Sequence, residues 1–171
     1  GRKVRDWGSD DPFAVVALIV LLAIVGCSIF APWISPYDPT LQDYNVILMP
    51  PSPDYILGTD DLGRDVFSRL IHGASASVYA AFLAVGVAAI LGIPVGLIAG
   101  YAGGWVDDAI SRIIDTFLSF PAIVLAIAVT GVLGIGLTNA MISVGIVFAP
   151  QLARLARART LVLKQELYAD A

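Results

Sequence analysis

Three groups of residues carry types that could do chemistry. Asp107, Asp108 and Asp115 flank Arg112 in a helical register, and paired carboxylates can serve as general acid and base. No pocket-forming sequence surrounds them, so a solvated or helix-packing role is the expectation. Arg154, Arg157 and Arg159 follow a long uncharged run, an arrangement suited to orientation in a membrane and contact with lipid phosphate. His72 is the single histidine and Cys27 the single cysteine. Zinc takes three or four such ligands, so no metal site is expected, and both residues read as packing or interface positions. No G-x-x-x-x-G-K-[ST] run occurs, so ATP binding by a phosphate loop is not expected. No nucleophile–base arrangement stands out. Neither an enzyme active site nor a cofactor is expected, and no nucleic-acid partner.

The elements that position these residues follow from where charge is absent. Of 171 residues, 58% are apolar and 14% charged, against about 45–50% and about 25% in a soluble domain. That excludes a disordered chain, which needs low hydrophobicity and high net charge. One cysteine excludes a disulfide scaffold, and 16 glycines without a period of three exclude collagen. An integral, all-α membrane protein remains. Asp11 and Asp38 enclose 26 residues without formal charge, Arg69 and Asp107 enclose 37, and Asp115 and Arg154 enclose 38. A spanning helix needs about 20 residues at about 1.5 Å each. The first gap holds one span, 12–31, ended by Pro32 and Pro36, and the second holds 77–99. The third would be about 57 Å long as one helix. It reads instead as a hairpin, 117–133 and 139–155, turning at Gly134-Ile135-Gly136-Leu137-Thr138.

Charge sign supports four spans. Cytoplasmic flanks are rich in Lys and Arg. Arg2, Lys3 and Arg5 precede the first span (residues 1–11 forming a flank), and Arg154, Arg157, Arg159 and Lys164 follow the last. Both ends therefore read as inside, which requires an even number of spans. The loop after the second span, with Arg112, is then inside, and the loop 32–76 is outside. The outer loop holds Arg64 and Arg69 against six Asp. A signal peptide is the alternative for the first span, but its apolar run exceeds the about 7–15 residues of such a segment.

The second span carries small residues every four positions: Ala76, Ala80, Ala84, Ala88, Gly92, Gly96 and Gly100. On a helix these form one nearly smooth face, the kind that lets membrane helices approach closely. Gly92, Gly96 and Gly100 are therefore the expected packing positions. Pro94 is expected to bend this helix, Pro121 to open the third span, and Pro150 to kink the fourth. Outside, Pro32, Pro36, Pro39, Pro50, Pro51 and Pro53 predict an extended, stiff stretch. A short amphipathic helix over about 60–72 is expected next. Thr59 or Asp60 would cap it, Leu62, Val66, Phe67, Leu70 and Ile71 would line one face, and Asp65 would pair with Arg69.

The run Leu57-Gly58-Thr59-Asp60-Asp61-Leu62-Gly63-Arg64-Asp65-Val66-Phe67-Ser68-Arg69-Leu70-Ile71-His72-Gly73-Ala74 resembles the external signature of ABC-transporter permeases of the dipeptide/oligopeptide/nickel type. More narrowly, it resembles the second of their two permease subunits. Its marked positions here are Gly58, Thr59, Asp60, Gly63, Arg64, Asp65, Ser68 and Arg69. Ala31-Pro32-Trp33-Ile34-Ser35-Pro36-Tyr37-Asp38-Pro39, Gly100-Tyr101-Ala102-Gly103-Gly104-Trp105-Val106-Asp107 and Phe120-Pro121 fit the same subunit. The resemblance implies the six-helix type I importer permease fold, with four transmembrane helices present here. It also implies a bacterial inner-membrane location, with alternating access driven by ATP. The implied partners are a second permease subunit in a heterodimer, two cytoplasmic ATPase subunits, an external substrate-binding protein and the lipid bilayer. The implied substrates are di- or oligopeptides or related small solutes. Tyr168, Asp170 and Ala171 align with the start of the loop that grips the ATPases. The chain begins without Met and stops there, so a partial chain, 77–171 being the start of the transmembrane domain, is the expectation.

Two other classes stand beside this one. A gradient-driven carrier or channel would place ionisable groups or a selectivity ring within the spans, and the spans have none. A non-transporting membrane assembly subunit would not need the elaborated outer loop.

Overall fold

The computed structural model describes residues 12–169, with side chains as far as Lys164. Five α-helices follow in order: α1 (Pro12–Ile34), α2 (Val66–Ala102), α3 (Gly104–Leu118), α4 (Ala122–Leu133) and α5 (Leu137–Ala169). A 3-10 turn covers Tyr44–Val46, and the described residues form no strand, only an isolated bridge between Thr59 and Asp65. The chain divides into two compact units, the first ending at Tyr79 and the second beginning at Ala80. The division falls inside α2.

Among the described residues, three helices are long and apolar enough to cross a membrane: α1, α2 and the stretch Leu137–Lys164 of α5. A fourth crossing results if α3 and α4, bent by 91° at their junction, count as one broken span. Helix α1 rises about 34 Å at 1.5 Å per residue, enough for a hydrocarbon core of about 30 Å. Its large apolar side chains, Phe13, Leu22 and Ile29 among them, are exposed. Such a surface is a liability in water and an ordinary one in lipid.

Helix α1 does not stop at Pro32. It carries that proline inside its last turn and ends at Ile34, with the Ser35 N–H donating to the Ala31 carbonyl at 3.0 Å. A proline removes one bond of the ladder, and here the freed acceptor, the Ser28 carbonyl, takes the Ser75 hydroxyl at 2.7 Å.

The expected separate amphipathic helix over 60–72 is corrected. Residues 59–65 form a closed turn, and the helix that follows starts at Val66 and continues into the second span without interruption. The reason is Gly63, which sits at φ +70, a left-handed conformation that a helix from Asp60 could not pass through. The cap is Asp65 rather than Thr59 or Asp60: its Oδ2 accepts the Ser68 N–H at 2.8 Å.

The third expected span, 117–133, is also corrected. Helix α3 runs to Leu118, where the Ser119 hydroxyl closes on the Thr116 carbonyl at 2.7 Å. Pro121 then caps α4 at its N-terminus. Proline disfavours helical geometry in the residue before it, so the chain breaks there and turns. Helix α4 is 12 residues, about 18 Å, short of a hydrocarbon core. The turn from α4 to α5 lies where the two glycines place it: Gly134 at φ +94 and Gly136 at φ +137. Asn139 Nδ2 donates to the Leu133 carbonyl at 2.8 Å and to the Gly134 carbonyl at 3.3 Å, satisfying the end of α4. Helices α3 and α4 both pack on α5, which passes through Pro150 as one continuous helix.

Candidate functional site: a knot in the first unit and a helix clamp in the second

The residues of the 57–74 run are brought together within the first unit as a tight knot. Thr59 is nearly buried. Its hydroxyl donates to the Val46 carbonyl and accepts the Met49 N–H at 2.9 Å, while the Thr59 N–H returns to the Met49 carbonyl at 3.1 Å. Asp60 collects the most donors. Its carboxylate accepts the Leu62 N–H at 2.9 Å, the Arg64 N–H at 3.0 Å, Arg64 Nε at 2.8 Å and an Arg69 guanidinium N–H. Partial burial raises its pKa, but the hydrogen bonds from Arg64 and Leu62 and the Arg64 charge outweigh that and hold it at about 2. Arg69 therefore pairs with Asp60, not with Asp65 as the i, i+4 spacing suggested. Asp65 is 3% exposed and turns instead to Ser68, whose hydroxyl donates to it at 2.6 Å and accepts the Tyr37 N–H at 3.2 Å.

Two glycines make this closure possible. A Cβ on Gly58 would collide with the Met49 carbonyl, and one on Gly63 with the Asp43 carbonyl, and both residues have positive φ. The 43–49 segment thus lies directly over the turn. Tyr37 and Tyr55 stack at 5.2 Å beside it, and the Tyr37 hydroxyl donates to the Asp54 carbonyl at 3.1 Å. His72 Nδ1 lies 3.0 Å from the Ser68 carbonyl, and Cys27 is exposed.

The second unit contains the small-residue face. Gly92 meets the Ala149 carbonyl, Gly96 the Ala153 carbonyl, and Gly100 the Thr160 side chain, where an added Cβ would sit 2.7 Å away. From the other side Gly145 meets Val87 and the Ala84 carbonyl, and Ala88 is 3% exposed. The partners rise together in number, so α2 and α5 run parallel and their C-terminal ends lie at the same end of the unit. An apolar cleft of about 200 Å³, lined by Leu91, Val95, Ile114, Phe117 and Pro150 among others, opens beside the seam.

At that end the acidic residues of α3 meet the arginines of α5. Asp107, 9% exposed, holds the Arg157 guanidinium at two points, one of them a 2.6 Å bond from its terminal nitrogen. The Ser111 hydroxyl reaches Asp107 Oδ1 at 3.4 Å. Asp115 pairs with Arg154 on the surface. Lys164 donates to the Tyr101 carbonyl at 3.0 Å and lies 5.8 Å above the Tyr101 ring. These cross-helix pairs are absent from the sequence reading, which placed Asp107 and Asp115 around Arg112 and gave the arginines to lipid. The signal lies in the composition: the segment 101–116 holds three Asp, and the stretch 154–159 three Arg. The side chain of Tyr168, and Asp170 and Ala171, lie outside the described residues.

The comparisons fit this arrangement. Residues 9–51 match the model for the N-terminal transmembrane domain of oligopeptide transport permease C. Residues 92–171 match the binding-protein-dependent transport system inner membrane component. Among curated relatives, the dipeptide transport system permease protein DppC of Haemophilus influenzae is 41% identical over 161 residues, covering 91% of this chain and 55% of the relative. The probable D,D-dipeptide transport system permease protein DdpC of Escherichia coli K12 is 38% identical over 171 residues, 100% of this chain and 57% of the relative. The glutathione transport system permease protein GsiD of Escherichia coli O6:K15:H31 is 47% identical over 155 residues, 90% of this chain and 51% of the relative. The chain spans about half the length of these relatives. With both family models matched in their chain order and these relatives similar along nine-tenths or more of its length, the chain belongs to the C-type permeases of the binding-protein-dependent transport systems.

Proposed function

We propose that the protein carrying this chain is a permease subunit of an ATP-driven importer of di- or oligopeptides, or of related small peptides such as glutathione, working by alternating access. The observation that carries the reading is the relation to dipeptide and glutathione permeases, at 38–47% identity over nine-tenths or more of the chain. It is supported by the knot, which makes a rigid outer platform against which an external binding protein would deliver substrate. ATP would be hydrolysed on two separate cytoplasmic subunits, and a second permease subunit would complete the pathway. Both ends of the chain would face the cytoplasm, as the Lys and Arg flanks favour. The parallel run of α2 and α5 supports that reading, because four spans with both ends inside would send these two helices the same way. The end of α5, with Tyr168 and then Asp170 and Ala171, would begin the ATPase contact.

Co-purification tests this. The complete subunit, tagged and extracted with its genomic neighbours co-expressed, is expected to bring down one partner permease and two ATPase subunits. Isolation as a lone homo-oligomer would overturn the reading.

A further inference from the structure

The contacts that join α5 to its neighbours in the second unit are of two kinds, and they do different things. Along the membrane half, Gly92, Gly96 and Gly145 let backbones touch through carbonyls and methyls. Such a smooth contact holds helices close but offers nothing directional to resist sliding or turning about the helix axis. Between Arg154 and Lys164 the contacts become polar and directional: Arg154 to Asp115, Arg157 to Asp107, Lys164 to Tyr101. The Arg157–Asp107 pair is the more buried of the two ion pairs, with Asp107 buried and Arg157 half-buried, and it is bidentate. Burying such a pair is a weak source of stability, because desolvation offsets the attraction, and its best-attested use is to fix register. A planar guanidinium held at two points by one carboxylate narrows the relative orientations open to the two helices more than a single-point contact does.

We infer that Asp107 is a positioning residue of the transport cycle: its two-point hold on Arg157 locks α3 to the cytoplasmic half of α5, so that both move as one body. The inference rests on the permease reading, because the displacement to be transmitted is the one an ATPase would impose at the end of α5. Helix α5 runs unbroken from Leu137 to Ala169, so a shift at that end reaches the seam without a hinge. Without the lock, only the exposed Arg154–Asp115 pair would tie this part of α5 to α3, and α5 could shift against it.

The test uses the complete transporter with its ATPases and binding protein, in nanodiscs, with spin labels at Asp108→Cys and Arg159→Cys in a Cys27→Ser background. Both label positions are exposed. The interlabel distance is read without nucleotide and after trapping with ATP and orthovanadate. With Asp107 intact, the distance is expected to stay within about 2 Å between states, the size of a packed helix shift. With Asp107→Asn it is expected to shift further or broaden, and binding-protein-stimulated ATP turnover should fall about fivefold or more. The swap Asp107→Arg with Arg157→Asp should recover both. A single narrow distance in both states for Asp107→Asn overturns the inference, as does a wild-type distance that already changes. If Asp107→Asn fails to assemble, Arg157→Lys is read instead, since a single ammonium keeps the charge but not the two-point geometry, and an unchanged narrow distance again overturns the inference. A wild-type complex with no trappable ATPase overturns the permease reading and takes this inference with it.

Discussion

The Ser75 hydroxyl donates a 2.7 Å hydrogen bond to the Ser28 carbonyl, four residues before Pro32. Pro32 has no N–H to offer that carbonyl, so a side chain from another helix supplies the missing donor. Ser75→Ala should cost about 1 kcal/mol of stability, measured by denaturant titration in detergent. In a Pro32→Ala background, which restores the helical donor, the same change should cost much less. Equal costs in the two backgrounds would show that the bond does not compensate for the proline.

The outer knot should fail in acid. Asp60 is held at about 2 in the folded state, below its unfolded value of about 3.9. A lowered pKa contributes stability above the unfolded value and loses it as pH falls through the folded one. Asp38, lowered by hydrogen bonds from Thr40, adds in the same direction. Amide exchange over 58–66, corrected for intrinsic rate, should therefore stay slow above pH of about 4 and accelerate between about 4 and about 2. Asp60→Asn should exchange faster at neutral pH and show a flatter profile.

Two glycines of the same helix should respond oppositely to alanine. Nothing lies within 4 Å of a Cβ placed on Gly86, whereas one on Gly96 would collide with the Ala153 carbonyl. Gly86→Ala should stabilise by about 0.5–1 kcal/mol through backbone entropy. Gly96→Ala should destabilise, because the obstruction is main chain and α5 would have to move. Melting temperatures of the two variants in one detergent decide this, and a shared sign would mean that the seam is looser than described.

Topology is open to direct labelling. Asp54 and Asp108 are both exposed and lie on opposite sides of the membrane if the Lys and Arg flanks face inward. In a Cys27→Ser background, Asp54→Cys should react with an impermeant thiol reagent on spheroplasts, and Asp108→Cys only after lysis. Equal reaction before lysis would refute the arrangement.

What could be read in the chain and what could not divide along physical lines. The presence of apolar helices was legible because charge-free runs longer than 20 residues have few soluble explanations, whereas the break before Pro121 in the third run was not. The hairpin turn was legible because Gly134 and Gly136 interrupt one of them. The small-residue face was legible because a four-residue period is a helical neighbourhood, and its partner α5 was not, because nothing local names the facing helix. Asp65 and Arg69 have the spacing of a helical pair, yet Gly63 bends the turn so that Asp60 reaches Arg69 first. Asp107 and Arg157 are fifty residues apart, and their approach depends on α3 turning back along α5. Local rules gave each side chain its nearest opposite charge, whereas packing supplied a distant one.

The short helix α4 carries one more consequence. Its last carbonyl and that of Gly134 are taken by Asn139, and the Gly134 N–H returns to the Thr130 carbonyl at 2.9 Å. Val132 and Ile135, at the apex, are 87% and 100% exposed. An apex with two carbonyls taken from within and its apolar side chains turned outward needs fewer waters than an open loop. The hairpin can then end close to the apolar core, and the bilayer need thin less to meet a 12-residue helix of about 18 Å.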